Sequence, residues 1–140
     1  HGHSTWTVEI EDTTFLIHYW AGRDAVADYL RAHEDEATFY TTTINLKEIA
    51  VGRRLQDALD PAAIHATFDW VEIVPFHPDH AYAAARLEAP LHADDSLSGD
   101  EVNSLTGDVL VAAVADAEDA TVVTRNVDDF ERLGVDAETY

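Results

Sequence analysis

The sequence predicts a layered α/β fold built on a mainly parallel sheet. Short β-branched or aromatic runs alternate with longer segments whose apolar residues recur every three or four positions. That strict strand–helix alternation is the pattern of parallel sheets covered by helices. Polar, turn-forming residues punctuate it, and no internal repeat interrupts it.

The elements follow in order. Residues 6 to 10 (WTVEI) alternate and form the first strand, which stops just before Asp12. Residues 15 to 20 form a short amphipathic helix broken near Gly22, and residues 23 to 33 a second one with Ala25, Val26, Tyr29 and Leu30 as its apolar positions. The run ATFYTTT (37 to 43) is the next strand, and a helix over 44 to 59 follows with Thr42 or Thr43 as its cap. Pro61 suits the first turn of a helix reaching residue 68. WVEIVPF (70 to 76) is a strand, and residues 78 to 89 form a helix. The polar stretch 90 to 104 (PLHADDSLSGDEVNS) predicts a functional loop. A strongly apolar helix over 106 to 118 leads into a strand at 121 to 124, a short helix over 127 to 133 and an edge segment near Val135.

The length of 140 residues corresponds to a single domain with a core of its own. His1-Gly2-His3, with no initiator methionine, reads as a tag remnant, extended provisionally to residues 1 to 5. The longest apolar block, near residues 109 to 114, is far too short to span a bilayer, and no signal peptide opens the chain. A soluble, cytoplasmic protein without a membrane partner is expected. The absence of cysteine excludes disulfides and thiolate metal sites, so any metal must be held by oxygen or imidazole.

The net charge is -20, with 28 acidic residues against 8 basic ones, and Lys47 is the only lysine. The acids are spread through periodic segments rather than gathered in a tail, which belongs to a folded domain. Two explanations stand: an acidic protein that avoids polyanions, or one from a high-salt cytoplasm where charges are screened within about 3 Å at 1 M salt. The near-absence of lysine with arginine retained favours the second, halophilic one. On that reading the charge does not argue against a nucleic-acid substrate.

Four acidic stretches sit beside apolar runs at element termini. Asp12 ends the first strand, where parallel sheets bind their ligands, and it either caps the next helix or holds a metal. Glu48 lies one turn into its helix, on a solvated edge or pointed into a cleft. Asp108 is placed in the first turn of its helix, where the positive helix end favours a carboxylate. Asn126, Asp128 and Asp129 follow the strand at 121 to 124. Carboxylates gathered this closely repel unless a cation neutralises them. An all-oxygen site suits a hard divalent ion such as Mg²⁺ or Mn²⁺, which supports phosphoryl transfer.

IEDTTFLI, TTTINLKEIAVG, GDVLVAAVA and TVVTRNVDDFERL together resemble the four motif blocks of PIN-domain ribonucleases, and among them the toxins of VapBC-type toxin–antitoxin pairs. The resemblance covers almost the whole chain, in order. It implies a PIN-like three-layer α/β/α fold and a Mg²⁺/Mn²⁺-dependent endoribonuclease in which Asp12, Glu48 and Asp108 hold the metal that activates water against an RNA phosphodiester. It further implies a homodimer inhibited by a small cognate antitoxin; with the charge pattern it points to a haloarchaeal member. Two departures stand out. Asn126 occupies the place of a fourth acid, and the stretch 90 to 104 is long. Asn126 with Asp129 is either a helix cap with its capping-box acid or a neutral metal ligand backed by a carboxylate.

Thr13 and Thr124 flank the acids and either bind substrate or hydrogen-bond locally. Lys47, Arg53, Arg54 and Arg125 are candidates for RNA phosphate contacts, with Arg53 and Arg125 the better placed. His77 and His80 read as a loop-and-cap pair rather than a zinc site. A haloacid-dehalogenase-type phosphatase would need an acid where Thr14 stands, and a phospho-receiver domain a lysine after a late strand. A catalytically inactive PIN-like interaction module remains the rival from a different class.

Overall fold

The computed structural model describes residues 7–140. The reading of residues 1 to 5 as a remnant, and of Trp6 as the first strand residue, lies outside these described residues. Strands β1 (Thr7–Glu11), β2 (Ala37–Thr42), β3 (Glu72–Val74), β4 (Thr121–Val123) and β5 (Ala137–Glu138) form one sheet in the order β3-β2-β1-β4-β5. All four pairings are parallel.

Helices cover both faces, giving the three-layer arrangement. On one face α1 (Thr13–Trp20), α2 (Asp24–His33), α3 (Thr43–Leu55) and α4 (Pro61–Thr67) pack around Phe15, Leu16, Val26, Ile49, Phe68 and Val123. On the other, α5 (Pro78–Ala93), α6 (Gly99–Glu118) and α7 (Val127–Arg132) pack around Ile10, Val109, Val114, Val122 and Phe130. The neighbours Val122 and Val123 enter opposite cores because strand side chains alternate. The same alternation sends Val8 and Ile10 to the α5–α7 layer, and it turns Glu9 and Glu11 towards α1 and α2.

Local chemistry sets the boundaries. Thr42 caps α3 through a capping box closed by Asn45, and Pro61 opens α4 behind the Asp60 cap. His77 is the cap of α5, and its backbone N–H donates to His80 Nδ1 at 2.9 Å. The buried His80 ring also reaches Glu118 at 3.1 Å, so this histidine pair ties helices together.

One element departs from expectation. The stretch 90 to 104 is not an extended loop, because α5 runs through Pro90 to Ala93 and α6 begins at Gly99. The physical reason is the capping box of Ser98 and Glu101, which starts α6 seven residues ahead of the expected start at residue 106. Asp108 therefore stands in the middle of α6 rather than in its first turn, and the helix-dipole explanation for it fails. Among the described residues no helix is long and apolar enough to cross a membrane.

Candidate active site at the ends of β1 and β4

The sheet order reverses at β1, since the chain builds β2 and β3 to one side and β4 and β5 to the other. The crevice at such a switch point, beyond the carboxyl ends of the strands, is where open α/β sheets bind ligands. Asp12 and Thr124, the residues directly after β1 and β4, both point into it.

Asp12 occupies the cap position of α1, yet its carboxylate makes no capping bond there. Its Oδ1 accepts from Asn45 Nδ2 at 3.1 Å and its Oδ2 from the Thr124 hydroxyl at 2.8 Å. Asn45 Nδ2 also donates to Thr13 Oγ1 at 2.9 Å, and the Thr13 hydroxyl donates to Glu48 Oε1 at 2.6 Å. A continuous chain of hydrogen bonds thus runs from β4 through Asp12 and Asn45 to Glu48 on α3. Glu48 stands near α6 as well: a Cβ added at Gly107 would lie 3.8 Å from its Oε2.

Asp108, one residue past Gly107, is half-buried and receives no hydrogen bond among the described residues. Burial, then the charges of Asp12, Asp129 and Glu48, raise its carboxyl pKa to about 7. Asp12 is also raised, chiefly by burial and further by Glu48, against the lowering effect of its donors from Thr124, Thr13 and Asn45. The structure thus brings Asp12, Glu48, Asp108 and Asp129 into one electrostatically coupled group. Thr13 and Thr124 spend their hydroxyls on the acids.

Other expected residues lie around this group. Asn126 stands at the cap position of α7 but makes no side-chain cap bond, and no capping box with Asp129 forms. The backbone ψ of 50° at Asn126 turns the residue away from the extended geometry of a cap, and its own N–H is taken by Thr124 Oγ1 at 2.9 Å. The cap explanation of this pair is therefore corrected. Arg125 is exposed and lies over the Tyr140 ring at 4.0 Å. Arg53 lies over Trp20 at 4.5 Å, beside a cavity of about 280 Å³ that Glu48 also lines. Lys47 and Arg54 are exposed on α3, and Arg54 pairs with Asp57 at 4.0 Å.

Two residues escaped the sequence reading. Asn45 joins three of the site's side chains, and its signal was its position three residues after Thr42 and three before Glu48, on one helix face. Tyr140 packs edge-on against Phe15 and lies 2.8 Å from His18 Nδ1, and nothing local in the sequence announced it.

A family model for the PIN domain matches residues 10–136, which includes every acid of this group. The chain belongs to the PIN domain family. Solved structures share the PIN fold with it. VapBC-1 from nontypeable Haemophilus influenzae superposes with a TM-score of 0.75 at 16% identity, covering 95% of this chain and 98% of that one. VapBC2 from Rickettsia felis, solved bound to a promoter DNA fragment, gives 0.74 at 21% identity with the same coverage. FitAcB from Neisseria gonorrhoeae gives 0.64 at 20% identity, covering 92% and 95%. No curated protein matches the chain by sequence.

Proposed function

We propose that this PIN domain is a metal-dependent endoribonuclease that hydrolyses RNA phosphodiester bonds. In this reading it is the cytoplasmic toxin of a toxin–antitoxin pair and acts as a homodimer. The observation that supports it is the gathering of Asp108 with Asp12, Glu48 and Asp129 at the sheet's switch point, where burial first and then the neighbouring charges raise the Asp108 carboxyl to about 7. Carboxylates gathered this way repel one another, and a cation among them would relieve that repulsion.

The donor set fits Mg²⁺ or Mn²⁺, because every available ligand atom is oxygen. Asp12, Glu48 and Asp108 are the residues that would hold the ion, with Asn126 and Asp129 at the margin. When bound, the ion supplies charge stabilisation at the phosphate and a more acidic water. The remaining work falls to the chain itself. Asn45 and Thr124 fix the direction of the Asp12 carboxylate, and Thr13 fixes Glu48 while leaving Glu48 Oε2 open. Asp108 would hold such an ion as the deprotonated carboxylate. Arg125, exposed and stacked on Tyr140, and Arg53, stacked on Trp20, face substrate with preordered guanidinium groups suited to phosphate.

The antitoxin reading rests on apolar surface beside the site. Ile17, Trp20, Ile49 and Phe68 line the cavity next to Glu48, and Ile17 and Leu55 are exposed. Several solved structures similar to this chain are complexes of toxin with antitoxin.

Purified chain incubated with single-stranded RNA and Mg²⁺ or Mn²⁺ is expected to cut it internally, EDTA to stop the cutting, and Asp12→Asn to abolish it. Undiminished cleavage by Asp12→Asn rejects the assignment. A chain that binds a partner protein but never cuts RNA, with either metal, establishes the inactive interaction module instead.

A further inference from the structure

The middle of β1 carries polar groups that the proposed reaction does not use. Glu9 is 2% exposed in the centre of an all-parallel sheet, where strands covered on both faces are ordinarily apolar. Its Oε2 accepts from the Tyr29 hydroxyl at 2.9 Å, while its Oε1 is buried without a hydrogen-bond partner. Buried carboxylate oxygens rarely go unpaired, because desolvation leaves them uncompensated.

His33, one turn after Tyr29 on α2, faces the same place. Its ring stacks on Tyr29 with centroids 3.8 Å apart, and its Nδ1 lies 2.8 Å from the Tyr29 carbonyl oxygen. A carbonyl only accepts, so Nδ1 carries the proton and, in the neutral ring, Nε2 presents a free lone pair. That nitrogen stands 3.7 Å from Oε1 of Glu138 on β5, too far for a good hydrogen bond. One potential ligand atom from each of Glu9, His33 and Glu138 lies within 4.8 Å of the other two, the one such trio among the described residues.

We propose that Glu9, His33 and Glu138 bind a divalent transition-metal ion of the zinc type, at a site separate from the acids around Asp12. Imidazole with two carboxylates suits zinc, and three protein ligands leave a position for water. The supporting contacts are those that orient metal ligands: a carbonyl holding the far nitrogen of the histidine, and a hydroxyl holding the second oxygen of Glu9. Glu138 is about half exposed, which opens a route for the ion. Bound there, zinc clips the end of α2 and the two-residue strand β5 onto β1.

The test is calorimetric titration of the full chain with zinc in excess Mg²⁺, alongside thermal melting. His1→Ala and His3→Ala remove competing imidazoles, and Asp108→Asn weakens the first site. One zinc per chain and a higher melting midpoint are expected. Tyr29→Phe should weaken binding by roughly tenfold, as losing an outer partner does, and His33→Ala or Glu138→Gln by more than that. Both of the latter change partly exposed side chains, so folding is retained. Absence of zinc binding, or binding equally tight in His33→Ala and Glu138→Gln, overturns the proposal, whatever becomes of the ribonuclease reading.

Discussion

Glu11 and Asp12 are adjacent in sequence, both are buried, and their surroundings differ completely. Glu11 is fully buried with neither carboxylate oxygen hydrogen-bonded. Burial first, then the charges of Glu9 and Glu138, push its carboxyl well above the usual range. Asp12, 6% exposed, has a donor on each oxygen. The difference is positional. Inside a parallel sheet the backbone donors are consumed by the ladder, and a carboxylate finds nothing. At the strand end, helix caps and loop side chains converge, and their donors are free to turn inward. Burial alone therefore does not mark a working acid; the supply of donors and the neighbourhood of other carboxylates do.

The sharpest test of this contrast compares two isosteric changes. Asp108→Asn is expected to lower metal-dependent RNA cleavage by at least about 100-fold, the scale on which single electrostatic groups act in catalysis, while Glu11→Gln retains most of it. Equal losses in a cleavage assay would erase the distinction between the two regions. Next in size, Asn45→Ala is expected to reduce metal affinity by roughly 10–100-fold, because Asp12 and Thr13 lose a shared donor. Isothermal titration with Mn²⁺ measures this, and unchanged affinity would reduce Asn45 to a helix cap.

Glu11→Met should stabilise the fold by about 1–3 kcal/mol, the cost of a buried group left without a partner. Urea denaturation measures it, and a loss of stability would mean that the carboxyl is satisfied in some other way. The pH dependence follows from the raised acids. Asp108 has a folded pKa of about 7 against 3.8 for the free side chain. An acid shifted upward contributes stability that is complete below its unfolded pKa and is lost as pH rises through its folded one. Without metal, the melting midpoint should fall between about pH 4 and pH 7, and Asp108→Asn should flatten that slope. A midpoint that rises over this window contradicts the coupling. The smallest expected effect is ionic. Screening within about 3 Å at 1 M salt relieves the self-repulsion of a -20 chain, so the midpoint should rise between low and molar KCl. A steady fall counts against the halophilic reading.

Much of this organisation was legible in one dimension. The alternation of strands with amphipathic helices gave away the layered parallel sheet, and acids beside apolar runs drew attention to Asp12, Glu48 and Asp108. What stayed hidden depends on contacts between distant segments. Ser98-Gly99-Asp100-Glu101 has the composition of a turn and the spacing of a capping box, and the composition masked the helix start. Asn126 has the right residue type and place for a cap, but Thr124 takes the local donor first. Glu9 and Glu11 sit in a strand whose pattern reads as half-solvated, and only the packing of α1 and α2 buries them.

The bond between Thr124 and Asp12 joins residues 112 positions apart. Consider the order in which a ribosome delivers them. At roughly 5–20 residues per second, Thr124 is made roughly 6–20 s after Asp12, and β1 waits that long for its β4 neighbour. Contacts of such long range are also slow to close once both ends exist. A nascent chain therefore holds Asp12 without its β4 partner until Thr124 has been made, and its cleft takes shape only after that. For a molecule proposed to cut RNA, the contact therefore sets the earliest point in synthesis at which the cleft can be complete.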